Sequence, residues 1–171
     1  NKSAYNEVIY QLNFVDEYIN KRKKRKNVKP RFILLHINVP HPPYVFKENG
    51  EFNETNSNGS NWDYIDEYKN SIKFINNEIL KIIDNAQSKY RNKPIIILQG
   101  DHGFSETKNE TNLLEKISLG NGILNAMYLP ESNFEKIYND ATSVNTFPIL
   151  FNSYMEDFIK FEEDLIYHLL V

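Results

Sequence analysis

Apolar side chains at Tyr5, Val8, Leu12, Val15 and Ile19 recur at alternating spacings of three and four, which predicts one buried face of a helix. The basic block "KRKKRK" at 21–26 and Pro30 end it. "RFILLHINV", residues 31–39, is apolar on both alternating faces and reads as a central strand covered by helices on both sides. "KENGEFNETNSNGSN", residues 47–61, is polar and contains glycine, so it predicts a surface loop. From Trp62 to Tyr90 the three-four spacing returns at Ile65, Tyr68, Ile72, Ile75, Ile79, Ile82 and Ala86. Phe74, Leu80 and Ile83 widen that stripe beyond a coiled-coil seam, and a long amphipathic helix laid on a sheet is expected. "KPIIILQGDHG" then gives a second buried strand that runs into a tight glycine turn, and "GILNAMYLP", residues 122–130, gives a third. "SVNTFPILFNSYMEDFIKF" is expected to be helical, broken or started near Pro148.

A strand, a long helical crossover and another strand predict a parallel pair in a right-handed unit. The expected class is α/β, with a mainly parallel or mixed sheet sandwiched between helices. At 171 residues the chain is long enough for one domain with a substantial core. It opens without methionine and runs straight into helical periodicity, so a piece of a longer protein is expected.

Composition narrows the partners. A hydrophobic share of 40% and a charged share of 25% are those of a soluble globular chain. A net charge of −3 argues against nucleic acid as the main partner, which would need a broad basic field. The basic block reads as a solvated helix end, favoured there by the helix dipole. Cysteine is absent, which excludes disulfides, thiolate zinc sites and a cysteine nucleophile within this chain. No apolar stretch approaches the roughly 20 residues that span a bilayer, and no signal peptide opens the sequence. The Asn-x-Ser/Thr triplets at Asn53, Asn58 and Asn109 read as chance in an asparagine-rich chain.

Chemistry gathers at two strand ends. In parallel α/β sheets, ligands collect beyond the carboxyl ends of the strands. The first strand ends at His41, set among Pro40, Pro42 and Pro43, which stiffen the backbone and orient the ring. Such an imidazole can hydrogen-bond an anionic phosphoryl or sulfuryl oxygen. The second strand ends at Asp101 and His102, flanked by Gly100 and Gly103. A carboxylate and an imidazole suit zinc or manganese better than calcium, which seeks oxygen ligands alone. Two ligands do not complete a site, so more must come from elsewhere. His36 alternates with Phe32 and Leu34 and reads first as a core histidine, second as a substrate-binding neighbour of His41. Tyr44 and Glu106 read as structural, and His168 as a helix-surface residue.

"HINVPHPPYVF", "ILQGDHG", "ILNAMYLP" and "SVNTF" together resemble, in that order, the C-terminal half of sulfatase-like hydrolases and transferases of the alkaline phosphatase superfamily. The resemblance extends to the bacterial membrane-anchored branch of phosphoethanolamine transferases and lipoteichoic acid synthases. It implies an alkaline phosphatase-like sheet between helices, here a partial domain over residues 1–171, with a divalent metal site at the strand ends. By position, Asp101 and His102 match the family's acidic–histidine metal pair, and His41 matches the histidine that holds the transferred phosphate or sulfate. The "VNTF" block of the family is structural, so Asn145 and Thr146 receive no catalytic role. The family's nucleophile, a threonine, serine or formylglycine precursor, lies upstream with a further acidic ligand, and neither motif is recognisable here. The implied whole protein transfers or hydrolyses a phosphoryl or sulfuryl ester at the extracytoplasmic face, tethered to the membrane by upstream helices. The chain alone is expected to be inactive. The alternative is a non-catalytic anion-binding or scaffolding domain that keeps the fold.

Overall fold

The computed structural model describes residues 1–21, 29–54, 65–104, 112–132, 136–155 and 159–167. Contacts divide the chain into two compact units, Asn1–Lys93 and Pro94–Val171.

The first unit is built on two helices. Helix α1 spans Lys2–Lys21 and buries Val8, Leu12 and Ile19, the face set by the three-four spacing. Helix α2 spans Ile65–Lys89, with Asp66 and Glu67 in its first turn and Lys89 in its last, charges that oppose the helix dipole at each end. Residues 62–64 of the expected helix lie outside the described residues. Val8 and Leu12 of α1 meet Phe74 and Ile75 of α2 around Val45 and Phe46. Phe46 stacks on Phe74 at 4.2 Å between ring centroids and leans on Tyr5 at 4.9 Å. A polar bond also crosses the helix pair: Asn85 Nδ2 donates to Asp16 Oδ1 at 2.6 Å.

Residues 46–52 fold back on themselves. Lys47 N–H donates to Glu51 O at 2.9 Å and Asn53 N–H to Val45 O at 2.8 Å, which pairs Phe46 with Phe52. The reversal needs Gly50, whose φ of +86° is left-handed backbone that side chains disfavour. Asn53 is buried in this turn and its amide donates to Tyr44 O at 3.3 Å. Asn53 itself is therefore a structural residue; the triplets at Asn58 and Asn109 lie outside the described residues.

The second unit holds β1 (Ile96–Gln99), α3 (Leu113–Asn121), β2 (Asn125–Tyr128) and α4 (Thr146–Tyr154), the last preceded by a 3-10 turn over Ser143–Asn145. The strands β1 and β2 pair antiparallel, Ile96 opposite Tyr128 and Gln99 opposite Asn125. Helix α3 starts where Asn112 Oδ1 accepts the Glu115 N–H at 2.8 Å, a side-chain N-cap. Pro148 sits in the first turn of α4, where its missing N–H costs no helical bond. The helix ends at Tyr154, so the expected helical run to Phe161 is cut short.

The α/β class holds, but the expected parallel pair is corrected. Residues 31–39 join no ladder among the described residues. Phe32 is 77% and Leu34 80% exposed, and only Ile37 and Val39 of this run pack on the α1–α2 core. A strand apolar on both faces exists only where ladder partners and two covering layers exist, and among the described residues the first unit supplies neither to residues 32–35. His36 shares their exposure, which overturns its expected place in the core. No described helix is long and apolar enough to cross a membrane. The block at 22–26, Glu106 and His168 lie outside the described residues.

Candidate metal-binding turn

The chain leaves β1 at Gln99 and turns sharply through Gly100–Gly103. Gly100 N–H donates to Leu124 O at 2.8 Å and extends the pairing with β2 by one bond. Gly103 N–H donates to Gly120 O at 2.6 Å, docking the far end of the turn on the C-terminus of α3. That contact explains the second glycine. A Cβ at Gly103 would lie 2.1 Å from Leu119 O and 2.9 Å from Gly122 O, both backbone atoms. At Gly100 a Cβ would meet nothing nearer than 3.6 Å.

Between the glycines, Asp101 and His102 are exposed and face one another. Asp101 Oδ1 accepts the His102 N–H at 3.0 Å, which fixes the carboxylate against the turn. His102 Nδ1 lies 2.7 Å from Gly103 O. A carbonyl oxygen only accepts, so Nδ1 carries the proton in this contact and Nε2 presents its lone pair. Orientation of a ring by a backbone carbonyl is how metal-ligating histidines are held. Nε2 lies 3.9 Å from Asp101 Oδ2. Two bonds of about 2.0–2.2 Å at the tetrahedral angle hold their donors about 3.3–3.6 Å apart, so the pair must close by a few tenths of an ångström to share one zinc-sized cation. The donor set thus fits a divalent metal as a two-ligand start. Among the described residues no group of three or more His, Cys, Asp or Glu side chains gathers around a common point.

The other sequence candidates belong to the first unit. His41 is exposed, and its Nδ1 donates to Pro42 O at 2.6 Å, so the proline-rich turn does orient the ring. The Val39–Pro40 and Pro42–Pro43 peptides of this turn are cis. Tyr44 is a buried core residue set edge-on to Tyr68 at 6.0 Å, the structural role expected of it. A shallow hollow between the 47–51 turn and α2 is lined by Glu48, Phe74, Glu78 and Lys81. Lys73 meets Glu48 at 2.8 Å and Lys81 meets Glu78 at 2.6 Å, so these charges cancel locally and leave no anion cradle.

Sequence reasoning missed a polar cluster below the turn. Gln99 Nε2 donates to Thr146 Oγ1 at 2.9 Å, and the neighbouring Asn145 is fully buried. Asp164 Oδ2 accepts from Tyr138 Oη at 2.6 Å, while its Oδ1 accepts from the Thr142 N–H and hydroxyl, each at 2.7 Å. These donors, Tyr138 first, hold the Asp164 carboxyl far below the ordinary carboxylate range. Burial, reinforced by the Asp164 charge, raises the Tyr138 phenol. The available signal was the pair of asparagines seven residues apart, Asn145 just before and Asn152 within a helix otherwise rich in apolar residues.

Comparison with curated proteins and with solved structures returned no match. A family model described as Sulfatase matches residues 6–150, a span that takes in the His41 turn, the Asp101–His102 turn and the Asn145–Thr146 corner alike. By that match over most of its length, the chain belongs to the sulfatase family.

Proposed function

We propose that residues 1–171 are the C-terminal portion of a metal-dependent, sulfatase-like catalytic domain that hydrolyses or transfers a phosphoryl or sulfuryl ester. Sulfatases are hydrolases and transferases of alkaline phosphatase-like α/β fold that act on anionic esters and in general use a divalent metal. The observation that carries the reading is the Asp101–His102 turn. There a carboxylate oxygen lies 3.9 Å from an imidazole nitrogen, and the ring's other nitrogen is held by a backbone carbonyl.

In this reading Asp101 and His102 hold zinc or manganese, and further ligands come from upstream sequence. Bound there, such an ion lowers the pKa of the attacking nucleophile and offsets charge on the ester oxygens. His102 keeps its Nδ1 proton on Gly103 O and so is not the acid that protonates the leaving oxygen. His41 hydrogen-bonds an oxygen of the phosphoryl or sulfuryl group, its ring aimed by the Pro42 carbonyl. His36, exposed five residues earlier, is a second substrate contact. The nucleophile lies upstream, and the branch is that of the membrane-anchored phosphoethanolamine transferases and lipoteichoic acid synthases. The whole protein is tethered at the extracytoplasmic face by helices outside this chain.

Metal analysis of the purified full-length protein beside its Asp101→Asn variant tests the site. The expected result is a loss of bound zinc or manganese in the variant. Unchanged stoichiometry removes Asp101 from the coordination shell and favours the non-catalytic anion-binding domain. The 171-residue chain alone should not turn over aryl sulfates or aryl phosphates. Robust metal-dependent hydrolysis by it would overturn the upstream nucleophile.

A further inference from the structure

Residues 159–164 carry no helix or strand, yet they are tied to α4 chiefly through their backbone. Asn152 Nδ2 donates to Ile159 O at 2.7 Å and its Oδ1 accepts the Ile159 N–H at 2.7 Å. Asn145 repeats this one step along: Nδ2 donates to Glu162 O and Oδ1 accepts the Glu162 N–H, both at 2.9 Å. Seven residues of helix advance about 10.5 Å, and three residues of extended chain advance about 10 Å. The two amides therefore keep step with a strap that runs antiparallel to α4. Each mimics a peptide unit, donor and acceptor together, so at Ile159 and Glu162 the strap is held by its main chain.

Asp164 fastens the end. Besides Tyr138 and Thr142, it accepts from Asn145 Nδ2 at 3.0 Å, so one asparagine grips both the strap backbone and its carboxylate. Asn145 is followed by buried Thr146, the acceptor for Gln99, and Gln99 is the last residue before the Gly100–Gly103 turn. An unbroken path of hydrogen bonds and adjacent residues thus joins the strap to the backbone that carries Asp101 and His102.

We propose that the strap 159–164 is a positioning clasp. Through Asn145, Thr146 and Gln99 it sets where the end of β1 delivers Asp101 and His102. Only its functional consequence rests on reading those two side chains as metal ligands; the mechanical link stands on the contacts above. None of Asn145, Thr146, Gln99 or Asn152 is catalytic. They act through the turn.

Hydrogen–deuterium exchange of the intact protein tests the link, with titration by manganese alone as a second readout. Asn152→Ala and Asp164→Asn are expected to speed exchange across 159–165 and at the Gly100 and Gly103 amides by about fivefold, the scale of one lost hydrogen bond. Thr146→Val keeps the shape and removes the acceptor. It should leave the strap protected, loosen the turn, and weaken manganese binding about fivefold, while Thr146→Ser restores both. Unchanged strap exchange in Asn152→Ala overturns the clasp. Turn amides as slow in Thr146→Val as in the parent overturn the link to the site, and these conservative variants decide it even if Asn152→Ala fails to fold. A parent protein that binds no manganese, yet shows the predicted exchange changes, upholds the clasp and overturns the metal reading instead.

Discussion

A methyl group on Gly103 would collide with two backbone carbonyls at the α3 C-terminus, Leu119 O at 2.1 Å and Gly122 O at 2.9 Å. Backbone cannot swing aside as a side chain can, so Gly103→Ala should destabilise the second unit by about 1–3 kcal/mol or more. Gly100→Ala, with ordinary contacts at 3.6 Å and beyond, should cost less than about 1 kcal/mol. Urea unfolding of the two variants checks the contrast; equal losses would refute the close-approach role. Asp164 yields a pH prediction. Its folded carboxyl lies below the ordinary value of 3.8, so its contribution is complete above that value and is lost as pH falls toward the depressed one. Asp164→Asn should therefore show a shallower loss of melting temperature between about pH 4 and pH 2 than the parent. Coincident acid profiles would show that the carboxylate's hydrogen bonds do not bear on folding.

Helices α1 and α2 were legible because their apolar faces repeat over 20 and 25 residues, and most of each face is buried or half-buried, although Ile65 and Leu80 of the expected α2 stripe are exposed. Phe46 is the pivot between them. At 1% exposure and stacked on Phe74, it joins the 46–52 turn to α2. Phe46→Ala should cost about 3–5 kcal/mol, read from denaturant midpoints, and a loss under about 1 kcal/mol would mean that the pair does not organise this core. Helix α3 was not legible. It has nine residues, none of them buried, and its start depends on one local cap at Asn112, too brief a signal for periodicity to register. Helix α4 was legible only in its start near Pro148. Its partner is a strap reached through side-chain amides, a contact that leaves no hydrophobic repeat in either segment.

At the scale of the molecule, the Asp101–His102 turn was legible because glycine, carboxylate and imidazole stand together directly after an apolar run. The antiparallel β1–β2 pairing was not, since a ladder's direction is decided by partners distant in sequence, and two four-residue strands carry little pattern. The apolar run at 31–39 misled for a related reason: hydrophobicity marks what a segment can bury, not what is there to cover it. Its exposed residues have a practical consequence. Phe32, Ile33 and Leu34 present apolar side chains on a backbone with no ladder partner among the described residues, which is a template for strand addition between molecules. The isolated 171-residue polypeptide should polymerise into thioflavin-positive fibrils with a lag time that shortens as concentration rises. Leu34→Lys, a gatekeeper charge at the most exposed of these positions, should lengthen that lag severalfold, and an unaltered lag would place the seed of assembly elsewhere.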